Sequence, residues 1–293
     1  MTSQWYHRAG TLARDGWELV VDQATAGWHY AGLRIAQLDG QQLSLPSEDV
    51  ERLVLPLNGS CRVATPGWSV DLAGRESVFA GATDMAYVGP GTDLTLTGRG
   101  RIAVASAPAT TQRPPVHLPA SGVPIEFRGT GNMSRQVRNF GTPDALDAQS
   151  IIACEVLTPA GNWSSYPPHK HDHAIPEVET ELEEIYYFSF QPEAGGAPGA
   201  AEPFGYQQVS ASDDRPIDVL TQVGEADVVL VPYGWHGPSM AAPGYDMYYL
   251  NVMAGPGPER AWRISDHPGL TWLRGTWPDH QVDPRLPFGD STH

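Results

Sequence analysis

The sequence predicts an all-β protein built from short antiparallel strands. Its 293 residues include 31 glycines and 27 prolines, which divide the chain by frequent turns. The segments between these turns are short and apolar, without the long amphipathic patterns of helices. Regularly spaced short strands with glycine- and proline-rich turns are typical of a sandwich or a barrel. The pattern therefore excludes both a helical bundle and a disordered chain.

The predicted strands run through both halves of the chain. Apolar segments bounded by turn residues predict first-half strands at 17–21, 33–38, 50–57 and 101–106. The same pattern predicts second-half strands at 150–157, 182–190, 206–210, 218–223, 228–231 and 247–253. Residues 191–205 are rich in glycine, alanine and proline, and we expect them to form the tip of a long hairpin.

A stretch without apolar periodicity separates the two halves. Residues 107–122 are rich in proline, alanine and threonine, a composition typical of a linker. We therefore predict two domains, residues 1–112 and residues 123–293. Their similar strand counts suggest a duplicated barrel.

The composition restricts the class of partner. With 18 basic and 34 acidic residues the net charge is −16, and such a field repels nucleic acids and anionic membranes. Cys61 and Cys154 lie far apart and form neither a disulfide framework nor a cysteine-based zinc motif. The sequence shows no signal segment and no membrane-spanning apolar run. We expect a soluble, cytoplasmic protein that acts on a small molecule.

Two histidines are spaced to bind one metal ion. His169 and His171 flank Lys170, the only lysine of the chain. Side chains two residues apart on an extended strand share a face, so both imidazoles can reach the same cation. The alternative interpretation is a pair of surface histidines in the loop after Pro167 and Pro168.

An acidic segment after these histidines supplies a candidate carboxylate. If the segment is extended, its odd positions form a solvated face of Glu177, Glu179, Glu181 and Glu183. Glu184 breaks this alternation and falls on the apolar face. Because a buried carboxylate needs a cation or a hydrogen-bond partner, Glu184 is expected either to bind a metal ion or to pair with a buried arginine.

A third histidine completes a ligand set. The apolar strand at 228–231 is followed by a Pro-x-Gly-x-His turn that places His236 at the strand's end. Together with His169, His171 and Glu184, it predicts one divalent ion bound per chain. Three imidazoles and a carboxylate suit zinc, manganese, iron, nickel or cobalt, and zinc is the ion we expect.

These motifs resemble a known family. The His-x-His pair, the downstream glutamate and the Pro-x-Gly-x-His turn are similar to the two motifs of the cupin superfamily, small antiparallel barrels with a metal ion in the mouth. The segments HKHD, ELEEIYYF, PYGWH and GYDMYYLNVMAGP closely resemble the 5-deoxy-glucuronate isomerase family of bacterial myo-inositol catabolism. The resemblance is specific over residues 129–262 and diffuse over residues 1–110. In the common cupin pattern the glutamate follows the histidines closely, whereas here residues 172–183 intervene, which leaves Glu177 and Glu179 as alternative ligands.

The resemblance implies both a fold and a reaction. The fold is a bicupin of two jelly-roll barrels, and the first is a degenerate, metal-free copy because no histidine follows its Pro90–Gly91 turn. The reaction is the metal-dependent aldose–ketose isomerisation of 5-deoxy-D-glucuronate to 5-dehydro-2-deoxy-D-gluconate. The alternatives are a 5-keto-4-deoxyuronate isomerase of pectin breakdown, a cupin dioxygenase and a non-enzymatic sugar-binding protein.

Such an isomerase needs a proton shuttle and an anchor for the sugar acid. The candidate shuttles near the expected barrel mouth are Lys170, His173, Tyr187, Asp246, Tyr248 and Tyr249. The candidate anchors for the carboxylate are Arg135 and Arg138, because a guanidinium binds a carboxylate through two parallel hydrogen bonds. We also expect a homo-oligomer formed through the barrel edges.

Overall fold

Three antiparallel sheets make up the computed structural model, which describes residues 3–193, 202–213 and 215–289. One sheet has eight strands, one has seven and one has six. The all-β antiparallel fold predicted from the sequence is therefore confirmed. The structure contains no helix, within the described ranges, that is long and apolar enough to cross a membrane.

The eight-stranded sheet forms the first half of the molecule, residues 3–118. The strands of this half are β1 (Tyr6–His7), β2 (Leu19–Val21), β3 (Gly32–Leu45), β4 (Val50–Pro56), β5 (Gly59–Thr65), β6 (Trp68–Arg75), β7 (Met85–Val88), β8 (Leu94–Pro108) and β9 (Val116–Leu118). The sheet order is β2-β3-β8-β4-β7-β9, with β5 paired to β8 and β6 paired to β5. The β5–β6 hairpin, which the sequence analysis missed, turns at Pro66 and Gly67, where φ is +86° and only glycine is unstrained.

The second half contributes the other two sheets. Its strands are β10 (Ile125–Arg128), β11 (Arg135–Gly141), β12 (Ile152–Thr158), β13 (Trp163–Ser164), β14 (His169–Lys170), β15 (Glu183–Pro192), β16 (Gly205–Ser212), β17 (Arg215–Val223), β18 (Val228–Val231), β19 (Trp235–Ala241), β20 (Tyr245–Ala254) and β21 (Ser265–Asp266). Three 3₁₀ turns lie at Ala120–Gly122, Gly131–Met133 and Thr271–Asp279. The sheet orders are β1-β18-β15-β20-β12-β11-β10 and β17-β16-β19-β14-β21, with β13 paired to β19.

Each predicted strand overlaps an observed one, but two predicted connections differ. Strands β15 and β16 flank the predicted hairpin tip and lie in different sheets, so the connection crosses between sheets and the hairpin prediction is wrong. The centre of that segment, residues 194–201, lies outside the described residues. The linker prediction for 107–122 is also wrong in part, because β8 extends to Pro108 and β9 pairs with β7. As an edge strand, β9 tolerates the neighbouring prolines.

The central strands of the first-half sheet, β4, β7 and the second part of β8, are buried on both faces. Along β4 and β8, Val54 and Val104 point into the apolar interior of the first half, whereas Leu53 and Ala105 pack in the apolar cluster shared with the second half. A strand buried on both faces appears in the sequence as a continuous apolar run rather than an alternating one. Strand β1 strengthens the association, because Tyr6 pairs with Val229 of β18 in the sheet of the second half.

Two buried glutamates connect the halves in a reciprocal way. Glu51 on β4 accepts hydrogen bonds of 2.6–2.8 Å from the backbone N–H groups of residues 149–151. Glu183 on β15 accepts hydrogen bonds of 2.7–3.1 Å from the backbone N–H groups of residues 29 and 30. Several donors on one carboxylate compensate for its burial. Each half therefore provides one carboxylate that accepts hydrogen bonds from backbone N–H groups of the other half.

A buried ion pair lies in the same interface. Arg75 of the first half donates from both terminal nitrogens to Glu155 of β12, and both side chains are almost fully buried. Tyr248 and Arg138 complete the surroundings of this carboxylate, with the Tyr248 hydroxyl at 2.8 Å and an Arg138 nitrogen at 3.5 Å. The first half thus supplies a cation that the buried carboxylate of the second half needs.

Removal of this cation is expected to destabilise the whole protein. Arg75→Met should lower the free energy of unfolding by about 3–5 kcal/mol, because it leaves Glu155 buried with a missing partner. Arg62→Met is the matched control: its partner Asp71 lies at 2.9 Å and both side chains are at least half exposed, so a change below about 1 kcal/mol is expected. Urea unfolding measures both, and equal effects would contradict the assignment.

Candidate metal centre

Four side chains of the second half converge on one point. The ligand nitrogens of His169, His171 and His236 lie within 4.8 Å of one another. A carboxylate oxygen of Glu184, Oε2, lies 3.1 Å from Nε2 of His171 and 3.2 Å from Nε2 of His236. All four residues are buried. The structure thus brings together the four residues predicted from the sequence as metal ligands.

The two sheets of the second half position these ligands from opposite sides. His169 on β14 is the direct cross-strand partner of His236 on β19. Glu184 belongs to the other sheet, where it lies between Val231 of β18 and Met253 of β20. The ligand set therefore depends on the packing of the two sheets against each other.

The histidines are oriented as metal ligands are. Nδ1 of His171 lies 3.1 Å from the carbonyl oxygen of Leu182, and Nδ1 of His236 lies 3.0 Å from that of Gly234. When Nδ1–H donates to a carbonyl, the lone pair of Nε2 is free for a metal ion. Nε2 of His236 is buried without a well-aligned hydrogen bond. An unsatisfied buried lone pair of this kind fits a metal ligand.

Electrostatics at the cluster also fit a cation. Burial lowers the pKa of His169 well below its usual value, and the neighbouring His236 and His171 lower it further. Burial alone would raise the pKa of Glu184, but the adjacent His171 and His236 bring it down to about 2. Despite burial, Glu184 raises the pKa of His171. A metal ion must therefore displace a proton from the His171–Glu184 pair when it binds.

The other carboxylates of the acidic segment lie elsewhere. The side chain of Glu177 is exposed and lies near Arg263, whereas Glu183 points toward the first half. Glu179 is buried and contacts Lys170. The predicted solvated face is therefore wrong for Glu179, because the residues before β15 form a folded loop rather than an extended strand. It is also wrong for Glu183, because the first half packs against that face of β15.

Lys170 forms a second cluster with the acidic loop. Its ammonium nitrogen lies 2.7 Å from Oδ1 of Asp172, 2.9 Å from Oε1 of Glu179 and 2.9 Å from Nδ1 of His173. Glu179 also accepts hydrogen bonds from the backbone N–H groups of Asp172 and His173. Lys170 is therefore the cation that Glu179 binds, and Asp172 binds both Lys170 and Arg215, the latter at 3.0 Å. This cluster is distinct from the three histidines of the candidate metal centre.

A cavity of about 240 Å³ opens beside His169 and Glu184. Arg135 of β11 lines it and is only 6% exposed. The Arg135 guanidinium donates to the carbonyls of Met133 and Tyr166, at 3.2 Å each, and no carboxylate within the described ranges forms a salt bridge with it. Burial lowers its pKa to about 10, so Arg135 remains cationic at neutral pH. The cavity therefore contains a cation without a counter-charge.

The C-terminal segment supplies the outer wall of this cavity. The Trp277 ring lies 5.6 Å from the Arg135 guanidinium carbon and 4.9 Å from that of Arg274. Arg274 pairs through two nitrogens with Asp266, and Asp266 is the cross-strand partner of His169. The indole nitrogens of Trp262 and Trp277 have no hydrogen-bond partner among the described residues. The wall therefore offers N–H donors next to the ligand strand.

Strand alternation separates the other predicted residues into two groups. The predicted Tyr249 lines the cavity together with Tyr186, which the sequence did not single out, and both hydroxyls hydrogen-bond to Ser165. Tyr187 lines a small cleft with residues of the first half, and the Tyr248 hydroxyl donates to Glu155 in the interface. The structure therefore brings Tyr249 to the site, but not Tyr187 or Tyr248.

Three further predicted residues also lie away from the cavity. Asp246 accepts hydrogen bonds from the backbone N–H of Ala160 and from Gln191, at 3.0 Å each. Arg138 donates to the carbonyl of Val78 at 2.8 Å, on the face of β11 opposite to Arg135. His173 lies between Lys170 and the exposed Asp213.

Several cavity residues were missed in the sequence analysis. They are Glu126, Arg128, Tyr186, Trp262, Arg274 and Trp277. Tyr186 was accessible to prediction, because it shares the even-numbered face of β15 with Glu184. The tryptophans and Arg274 belong to irregular and 3₁₀ segments, in which no periodicity relates a residue to a face.

Comparison with known proteins identifies relatives along almost the whole chain. A sequence profile described as the KduI/IolB family matches residues 5–273. A 5-deoxy-glucuronate isomerase of Geobacillus thermodenitrificans is 39% identical over 265 residues, covering 86% of this chain and 89% of the relative. A protein of the same name from Listeria innocua is 34% identical over 270 residues, covering 90% of this chain and 92% of the relative.

Solved structures agree with the sequence relatives. An IolB-like protein from Salmonella typhimurium superposes with a TM-score of 0.83 at 33% identity, over 92% of this chain and 99% of that one. The oxalate decarboxylase of Lactobacillus farciminis superposes with a TM-score of 0.61 at 11% identity, over 91% of this chain and 89% of that one. The second likeness shows a shared fold.

The Lys170 cluster is expected to hold the acidic loop in place. Lys170→Met leaves the buried Glu179 without its cation and leaves Asp172 with Arg215 alone, which costs about 3 kcal/mol or more. Amide hydrogen exchange of residues 172–180 should therefore accelerate roughly 100-fold when exchange reports local opening. Arg62→Met, in an exposed pair with Asp71 of the first half, is the control and should leave this exchange unchanged. Unchanged exchange in Lys170→Met would show that the loop does not depend on the cluster.

Proposed function

Because this chain belongs to the KduI/IolB family, we propose that it is an aldose–ketose isomerase that converts 5-deoxy-D-glucuronate to 5-dehydro-2-deoxy-D-gluconate. The observation that carries the substrate class is Arg135, a buried cation without a counter-charge beside the candidate ligand cluster. A carboxylate-bearing sugar supplies the missing charge. The reaction belongs to myo-inositol catabolism.

One divalent ion, zinc in our proposal, is held by His169, His171, Glu184 and His236. When bound, it supplies Lewis acidity for the negative charge that develops on the sugar oxygens during isomerisation. The unsatisfied Nε2 of His236 and the ionised Glu184 support this assignment. Manganese, iron, nickel and cobalt suit the same donors.

The chain's own residues orient the sugar and handle its protons. In the isomerisation the C2–H bond breaks, a C1–H bond forms and the O2 hydroxyl proton is transferred to O1, so no oxidant is needed. The Glu126 carboxylate lines the cavity, and its ion pair with Arg128 at 2.9 Å lowers its pKa, so it is an ionised acceptor for hydrogen bonds from the sugar hydroxyls. Burial raises the pKa of Tyr249 to about 12, so its hydroxyl remains a donor toward a sugar oxygen.

The cysteines, the net charge and the sheet edges support proposals for the compartment, the partners and the oligomeric state. Cys61 and Cys154 are both free and buried, which suits the reducing cytoplasm that we propose as the compartment. The net charge of −16 disfavours nucleic acid and anionic membranes as partners. We propose a homo-oligomer formed through sheet edges, where β17 exposes Leu220.

Turnover of the two family substrates tests this function. Zinc-loaded protein should convert 5-deoxy-D-glucuronate to the ketose, and proton NMR in D₂O measures this conversion. C1 of the product acquires deuterium when the transferred proton exchanges with solvent. Conversion of a 4-deoxy-5-keto-uronate instead would assign the protein to the pectin pathway. No conversion of either sugar by folded, metal-loaded protein would contradict an isomerase.

Arg135 is expected to act on binding of the acid. Arg135→Met should raise KM for 5-deoxy-D-glucuronate roughly 10- to 100-fold, the loss expected for a hydrogen-bonded charge pair, and should leave KM for a neutral aldose of equal length nearly unchanged. Arg62→Met, in an exposed ion pair of the first half, is the control. Equal effects of Arg135→Met on both sugars would show that Arg135 does not bind the carboxylate.

A further inference from the structure

A cavity of about 640 Å³ lies in the first half, away from the candidate metal centre. Its volume exceeds twice that of the cavity beside His169 and falls in the range of small-molecule sites. Its lining comes from β3, β4, β8 and the loops around them, with Gln149 added from the second half. Nothing in the proposed isomerisation uses it.

Strand register shows that this cavity is the counterpart of the metal-centre cavity. In the second half, Glu184 lies on β15 between Val231 of β18 and Met253 of β20. In the first half, Arg52 lies on β4 between Val88 of β7 and Ser106 of β8. The preceding residues, Glu183 and Glu51, are also equivalent, because each binds backbone N–H groups of the other half. Arg52 thus stands where the second half has a ligand carboxylate.

The positive charges of this lining are already paired. Arg52 is 2% exposed and binds Oε2 of Glu48 at 2.7 Å, together with the carbonyls of Pro46 and Thr92. Arg34 lies 3.4 Å from Asp22. Three acidic residues line the cavity against two arginines. Unlike the Arg135 cavity, this one has no free cation, so it does not favour an anionic ligand.

The cavity has both hydrogen-bond donors and acceptors that form no hydrogen bond within the described part of the protein. The hydroxyls of Tyr30 and Ser106 and the carboxylate of Asp49 make no hydrogen bond to any described residue, and they line the cavity together. Leu45 and Val104 add an apolar surface. Donors and acceptors around an apolar floor match a molecule that carries several hydroxyls on a carbon skeleton.

We propose that the cavity of the first half binds a neutral polyhydroxylated small molecule, a sugar or polyol. The paired guanidinium and carboxylate groups offer hydrogen bonds to hydroxyls without a net charge that would require an anion. The replacement of a ligand carboxylate by Arg52 changes this cavity from a metal site into a hydrogen-bonding site. This proposal does not depend on the proposed isomerase activity.

Calorimetric titration of the full chain tests the proposal. The probes are sorbitol, which is neutral, and gluconate, an acid with the same number of carbon atoms. Sorbitol should bind saturably at one site per chain. The variants Ser106→Ala and Tyr30→Phe each remove one unused hydroxyl and should each weaken sorbitol binding about tenfold when that hydroxyl bonds the ligand. Both changes are conservative, so the variants are expected to fold.

Two controls separate this site from the others. Arg62→Met alters an exposed arginine of the first half, and Arg135→Met alters the other cavity, so both should leave sorbitol binding unchanged. The proposal is overturned if no saturable binding of sorbitol occurs or if binding is lost in Arg135→Met. It is also overturned if gluconate binds more tightly than sorbitol and its binding weakens in Ser106→Ala and Tyr30→Phe, because that result assigns the cavity to an anion.

Discussion

Consecutive residues of a strand point to opposite faces, and in β15 this rule separates Glu183 from Glu184. Glu183 binds backbone N–H groups of the first half, whereas Glu184 points to His171 and His236. The same alternation sends Tyr186 to the cavity and Tyr187 to the interface. Because both faces of β15 are buried, a shift of one residue would exchange two incompatible sets of side chains. The register of this strand therefore determines both the site and the association of the halves.

The first half contributes to the site through this strand. It lacks the three histidines of the candidate site, yet its backbone N–H groups bind Glu183. In turn, its own Glu51 binds backbone N–H groups of the second half. Arg75 adds the cation for the buried Glu155. Such polar contacts are costly to break when buried, so the first half fixes the strand on which Glu184 lies. These contacts are compatible with a positioning role for the first half.

The sequence predicted residues that follow a backbone periodicity and missed those that do not. His169, His171 and Glu184 were found by alternation, and His236 was found by the turn at the end of an apolar strand. Arg138 was chosen beside Arg135, although the two lie on opposite faces of β11. Trp277 belongs to a 3₁₀ segment that reaches the cavity only through tertiary packing. No local pattern relates such a residue to a site whose strands begin as early in the chain as β10.

The account depends most on Glu184 as a ligand held by a strand that Glu183 fixes. Zinc affinity of the metal-free protein, measured by competition with a chelator of known affinity, tests this directly in three variants. Glu184→Gln should weaken binding more than about 100-fold, and Glu183→Gln should weaken it roughly 10-fold, within the range seen for partners outside the ligand set. Glu179→Gln, in the Lys170 cluster, should leave the affinity of folded protein unchanged. Full affinity in Glu184→Gln with a loss in Glu179→Gln would contradict the account.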